Sequence, residues 1–385
     1  MTEHTRTAGP LAHLKVLDLS RLYPGAFASA LLADLGADVL KVEPPKGGDG
    51  LRFMTGGTTS PVHSALNRSK RSMTLEIRDA RGAAIFRELV READIVIESQ
   101  RPGAMHDLGL GWEQLRLDNP GLVWCSITGF GQVSPHATAP GHDITYAGYS
   151  GLLSRLSSDG VPPLPGIVVS LPVAALMAVS GILAAIAART VTGEGAFVDA
   201  SITDAAMWML GEEVARQSSS PGPGWGSMAA RGIYRCADGN SVTVASNEPR
   251  TWAALCSALE LPDLADHRHG QDEPAAIEAL AARFLEQPAA AWVAHPGLAG
   301  GVGPVNRPED LLVDPHVAAR GGLVQPDPDS PLQVLTSPLR IDRGLGPEIP
   351  DVTPAPDLGA DTEEVLRALG TTTDTIAALR ESGVI

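Results

Sequence analysis

Leu14-Lys15-Val16-Leu17-Asp18-Leu19, then Tyr23-Pro24-Gly25, then Ala26 to Leu35 ending at Gly36, then Asp38-Val39-Leu40-Lys41-Val42-Glu43, is the stretch that decides the fold. The first run is almost wholly apolar, as a strand buried on both faces requires. Tyr23-Pro24-Gly25 reads as a turn. The small residues from Ala26 read as a helix, with Gly36 as its C-cap. The last run, halted by Pro44-Pro45, reads as a second strand. Strand, helix and strand within about 30 residues predict a parallel βαβ unit.

Working outward, the alternation repeats. Ser72–Ile77 reads as a strand, Ala80–Glu92 as a helix and Asp94–Glu98 as a strand. Trp112–Asn119 reads as a helix and Leu122–Ile127 as a strand. Repeated βα units predict an α/β fold, a Rossmann-like open parallel sheet covered by helices. Ser218 to Gly224 is a Ser/Pro/Gly run that reads as a linker. Gly232–Cys236 and Ser241–Ala245, around Asp238-Gly239-Asn240, predict a hairpin. Helices are expected from Thr251 to about Val293, Pro-rich strands over 320–350, and a terminal helix from about Asp361. The expected division is a large domain over 1–217, a smaller α/β domain over 225–330 and a C-terminal segment over 331–385. No repeat of fixed period is found.

Composition narrows the function. The 385 residues carry a formal net charge of −16 and only 4 % aromatics, which argues against a nucleic-acid partner. Cys125, Cys236 and Cys256 are few and far apart, with no zinc-ligand spacing, and suit free thiols in a reducing cytoplasm. No metal site is expected. Cys125 reads as core, and the six tryptophans read as packing residues. His267-Arg268-His269 reads as a solvated loop. The N-terminus shows no apolar signal region. Ile167 to Ala188 is uncharged over about 22 residues, long enough to span a bilayer. Pro172 and Gly181 interrupt it, so it reads as a strand end and a buried helix, with no membrane partner.

Three motifs follow one another on these elements. The first is Leu31-Leu32-Ala33-Asp34-Leu35-Gly36-Ala37-Asp38 running to Glu43. The second is Leu66-Asn67-Arg68-Ser69-Lys70-Arg71-Ser72, followed by Asp94–Glu98 and Arg101-Pro102-Gly103. The third is Ser126–Gln132, followed by Gly141-His142-Asp143-Ile144-Thr145-Tyr146. The ordered set resembles the family III CoA-transferases and the α-methylacyl-CoA racemases that share their fold. The resemblance continues through Thr192–Gly195, Val198–Ala200 and Asn247-Glu248-Pro249 to Asp314-Pro315-His316. It implies an interlocked homodimer whose chain returns to the large domain at its end. It also implies an acyl-CoA substrate and no tightly bound cofactor beyond the CoA of that substrate.

In the light of this resemblance, Arg68, Lys70 and Arg71 are candidate CoA-phosphate ligands, since guanidinium and ammonium groups suit phosphate. Arg101 joins them after a strand end, where ligands of open α/β sheets collect. Gly129-Phe130-Gly131 offers backbone donors to a thioester oxygen. His142, beside Asp143, is the candidate acid/base, because imidazole titrates near neutrality. The Gly-His-Asp pattern matches the racemase branch of the family. That branch pairs its histidine with an aspartate before a small-residue helix, and here Ser170 holds that position. Glu248 is the nearest carboxylate that the resemblance supports. The leading expectation is an isomerase that removes and returns an α-proton through an enolate, with chemistry altered by Ser170. The alternatives are a CoA-transferase and a CoA-ester binding protein without catalysis.

Overall fold

The computed structural model describes residues 9–54, 60–156, 161–219, 228–266, 273–341 and 352–385. It has two compact units. Met1–Ala215 joins Ala318–Ile385 in the first, and Arg216–Val317 forms the second.

The first unit holds a six-stranded parallel sheet in the order β3-β2-β1-β4-β5-β6. The strands are β1 (Lys15–Asp18), β2 (Asp38–Glu43), β3 (Arg71–Thr74), β4 (Ile95–Glu98), β5 (Val123–Thr128) and β6 (Phe197–Ser201). The expected βαβ opening is present, and so is the open parallel sheet. The order reverses between β1 and β4, and ligands of such sheets settle beyond the strand ends at that point.

Each face of the sheet is covered. On one, Val16, Val39, Ile95, Ile97, Val123 and Cys125 pack against the helices Tyr23–Asp34 and Ser170–Thr192. On the other, Leu17, Leu40, Val96 and Trp124 pack against Ala80–Glu92 and the terminal helices Thr362–Ala368 and Thr373–Glu381. The chain end is stitched to the sheet: Glu76 donates its amide to the Val384 carbonyl at 2.8 Å. The segment before it is held too, since Ser337 donates its amide to Asp34 at 2.8 Å.

The β1–β2 and β5–β6 crossovers step in opposite directions along the sheet, yet their helices lie on the same face. They therefore have opposite hands, an exception to the usual rule for parallel connections. Both helices cross back from the carboxyl edge, so both begin there.

Several elements differ from expectation. Tyr23-Pro24-Gly25 is the first turn of its helix, not a preceding turn. Proline is tolerated there because its missing N–H has no helical acceptor. The Trp112 helix ends at Leu115, and Asn119, which precedes Pro120, instead donates its side chain to the Val90 and Ala93 carbonyls. Ile167–Val169 is not a strand end. The long helix is buried on one side only: Ala174, Ala178 and Ile182 lie in the core, while Leu176 is 48 % exposed. It is long and apolar enough to cross a membrane, and Pro172 sits in its first turn. Ser218 and Ser219 finish the helix Gly211–Ser219, and the remainder of the expected linker lies outside the described residues.

In the second unit, β7 (Arg231–Arg235), β8 (Ser241–Ala245) and β9 (Val302–Pro304) form an antiparallel sheet that contains the expected hairpin. Helices Pro249–Ala258, Glu273–Phe284 and Ala289–Val293 cover it. Trp252, Phe284 and Trp292 fill its core. The indole N–H groups are satisfied by the Leu264 and Phe284 carbonyls. Trp208, expected to pack, is 72 % exposed. Trp225 and His267-Arg268-His269 lie outside the described residues.

Candidate active site

The loop after β5 and the start of the long helix meet at the carboxyl edge. Asp143 makes the junction. Its Oδ1 accepts the amides of Ser170 at 2.8 Å and Leu171 at 3.1 Å, and Oδ2 accepts the Val169 amide at 3.0 Å. Ser170 adds its hydroxyl, 2.7 Å from Asp143 Oδ1. Asp143 is thus an anionic cap for orphan N–H groups at the positive end of a 23-residue helix. Of the two roles open to Asp143, raising the basicity of His142 or orienting backbone, the geometry shows the second.

His142 is exposed and stands just before the short helix Asp143–Tyr149. No carboxylate among the described residues pairs with its imidazole. Ser170 is fully buried. Its hydroxyl proton is committed to Asp143, and its position holds no carboxylate.

The glycines of this loop make room for an aromatic. A Cβ on Gly129 or Gly141 would stand 2.5 or 2.7 Å from the Tyr146 ring. Tyr146 donates its hydroxyl to the Gly141 carbonyl at 2.9 Å, and Phe130 packs edge-on against it. The Gly129 carbonyl accepts both the amide and the hydroxyl of Thr203. That oxygen is therefore engaged inside the protein.

The expected phosphate ligands divide. Lys70 has no exposed side-chain surface. Its Nζ is shared among Asp18 Oδ2 at 3.2 Å, the Ala26 carbonyl, Ser29 Oγ and Asn67 Oδ1. Burial pulls this lysine down to about 8, and Asp18 opposes the shift. Arg68 is likewise buried, forked onto Asp34. These two cations are spent inside the protein, which corrects their assignment to CoA phosphates. Arg71 is part-exposed and paired with Asp38 at 2.8 Å. Arg101 is exposed, and its guanidinium has no partner among the described residues. Its chain neighbour Gln100 lines a cleft of about 260 Å³ beyond the ends of β1 to β4, together with Arg21 and Arg78 and with Glu43, Glu76 and Asp107.

Glu248, in the second unit, is the N-cap residue of Pro249–Ala258 by backbone conformation. Its carboxylate accepts the Thr251 hydroxyl at 3.1 Å. Cys125 is buried in β5, as expected of a core residue, and burial followed by Glu98 and Asp199 pushes its thiol up. No group of metal-ligating side chains occurs among the described residues.

Comparison with known proteins places this geometry. A sequence model of CoA-transferase family III matches residues 11–362. The chain belongs to that family. It is 30 % identical to the human succinyl-CoA:glutarate CoA-transferase, over 98 % of this chain and 90 % of the relative. It is also 30 % identical to the human α-methylacyl-CoA racemase, over 97 % of each. Among solved structures, a CAIB/BAIF family protein from Brucella suis is similar with a TM-score of 0.81 and 28 % identity, covering 94 % of this chain and 100 % of that one. The chain is a CoA-handling enzyme of family III. Both transferases and a racemase stand among its relatives.

Proposed function

We propose that this enzyme performs α-proton chemistry on an acyl-CoA thioester, with His142 as the acid/base. One observation carries the reading. An exposed imidazole with no ion-pair partner stands beside a helix start that holds a buried hydroxyl, with no free carboxylate at that position. The carboxylate beside Ser170 already accepts three backbone amides, so it is a weak base and the serine a poor nucleophile. Proton removal needs only a base within reach and donors for the enolate oxygen. The C2–H proton passes to the His142 imidazole, and its electron pair moves into the thioester carbonyl as the enolate forms. Delivery of a proton from water to the opposite face of C2 completes an isomerisation, and the His142 imidazolium gives its proton back to solvent. The Gly129-Phe130-Gly131 amides are suited to the enolate oxygen. Arg101 and the cleft beside it are suited to the CoA phosphates.

The test is incubation with a 2-methylacyl-CoA in D₂O. Deuterium at C2 supports the reading, and bound CoA ester without exchange contradicts it.

A second reading, CoA transfer between carboxylic acids, draws on the succinyl-CoA:glutarate CoA-transferases among the relatives. It requires a carboxylate other than residue 170. It predicts CoA movement from succinyl-CoA to glutarate and an intermediate that hydroxylamine traps.

A further inference from the structure

We infer that Tyr23 belongs to this site, and that its phenolic hydroxyl donates a hydrogen bond to the carbonyl oxygen of the acyl-CoA thioester. The inference rests on the acyl-CoA reading. It names a donor that neither the motifs nor the relatives point to.

The turn after β1 is held in an unfavourable shape. Leu22 has φ 62° and ψ −151°, which a residue with a side chain rarely adopts and which persists only where its surroundings impose it. Here the surroundings are buried ions. Leu22 donates its amide to Asp49 Oδ1 at 3.0 Å, and Asp49 is held by Lys41 at 2.9 Å. Lys41 also donates to the Ser20 carbonyl at 3.0 Å. This clamp sets where the next residue, Tyr23, begins its helix.

Tyr23 lies in the first helical turn, at the carboxyl edge of the sheet. Its ring stacks on Phe27, one turn on, with centroids 5.8 Å apart and planes 23° apart. The ring is half-buried, and its hydroxyl makes no hydrogen bond to the described residues. Helix Tyr23–Asp34 packs alongside Ser170–Thr192 on the same face, and both begin at this edge. Tyr23 and the Asp143-capped helix start therefore share one end of the molecule. Phe27, on which the Tyr23 ring stacks, packs against the same apolar cluster as Leu171, the residue after Ser170. Burial first, and then the Asp143 charge, push Tyr23 above its ordinary value. The hydroxyl keeps its proton at neutral pH, as a donor must. Among the side-chain hydroxyls at this edge, that of Ser170 is committed to Asp143, which leaves Tyr23 to add a side-chain donor to the loop amides.

The test compares two ligands of nearly equal shape, acetyl-CoA and the thioether S-ethyl-CoA, which lacks the carbonyl oxygen. Affinities are measured by calorimetry on the full-length protein and on Tyr23→Phe, which keeps the ring and its stacking on Phe27. The expected result is a preference for the thioester in the wild type that falls about tenfold in Tyr23→Phe, with S-ethyl-CoA affinity unchanged. An acetyl-to-ethyl ratio that is the same in both proteins overturns the inference and leaves the acyl-CoA reading standing. An equal loss on both ligands also overturns it, since that marks a structural residue. If neither ligand binds the wild type, the acyl-CoA reading falls and the role of Tyr23 falls with it.

Discussion

Ser170 donates both its hydroxyl and its amide to one oxygen, Oδ1 of Asp143, at 2.7 and 2.8 Å. The residue standing where the resemblance leads one to expect a reactive carboxylate is therefore part of a helix cap. The carboxylate of that cap comes from the neighbouring loop. Under the proposed function, the exposed imidazole of His142 is the group that moves the proton.

If Ser170 is structural, Ser170→Ala should cost about 1 kcal/mol of stability, the net worth of one hydrogen bond. It should leave α-proton exchange unchanged. Urea unfolding and an exchange assay on the same preparation read both quantities. Abolished exchange with unchanged stability would make Ser170 a catalytic group.

Asp143→Ala removes the cap from the long helix and should destabilise the protein by about 1–2 kcal/mol. It also removes a negative charge near Tyr23. The phenol should then ionise at lower pH than in the wild type. Ultraviolet difference titration detects this as an earlier tyrosinate signal, and the Tyr23→Phe background should lack it.

The cations of the second motif should separate into two kinds. Lys70→Met strands Asp18 in the interior with Lys41 as its remaining buried cation, and should cost about 3–5 kcal/mol. Arg101→Ala should leave stability unchanged and weaken CoA binding in a salt-dependent way, since an exposed guanidinium acts through screened charge. Calorimetry at two salt concentrations, alongside thermal unfolding, distinguishes them.

The acid limb of stability should report Asp18. Burial alone would raise this carboxyl, but Lys41, Lys70 and the hydroxyls of Ser20 and Ser29 together outweigh burial and hold it down to about 2. The unfolded chain, titrating near its ordinary value of 3.8, binds more protons in that interval. The stabilisation is therefore present above about pH 4 and is lost as pH falls toward 2. Urea midpoints measured across pH 2–5 should fall in the wild type and flatten in Asp18→Asn.

Much of the fold was legible because it rests on local pattern. The βαβ opening could be read from apolar runs, small residues and Gly36, which sits at φ 99° beyond its helix. The strand β6 was not read. Phe197 and Asp199 are exposed at the edge of the sheet, so neither a continuous apolar run nor a clean alternation marks it. The basic residues misled for a different reason. Arg68 and Lys70 look like a ligand site beside one another, but their partners Asp34 and Asp18 lie 34 and 52 residues away, and only the fold brings them in. Asp143 posed the same difficulty. Its neighbour His142 suggested a catalytic pair, whereas its actual partners begin 26 residues later. Tyr23 gave no signal beyond its place in a turn, because its standing depends on two helices that start at the same edge.

The most direct measurement is deuterium incorporation at C2 of a 2-methylacyl-CoA in D₂O, run with the wild type and with His142→Ala. Exchange by the wild type, reduced about 10²–10⁴-fold in His142→Ala with acyl-CoA affinity retained, is the predicted result. Exchange that is equally fast without the imidazole, or absent from a wild type that binds the ester, would contradict α-proton chemistry at His142.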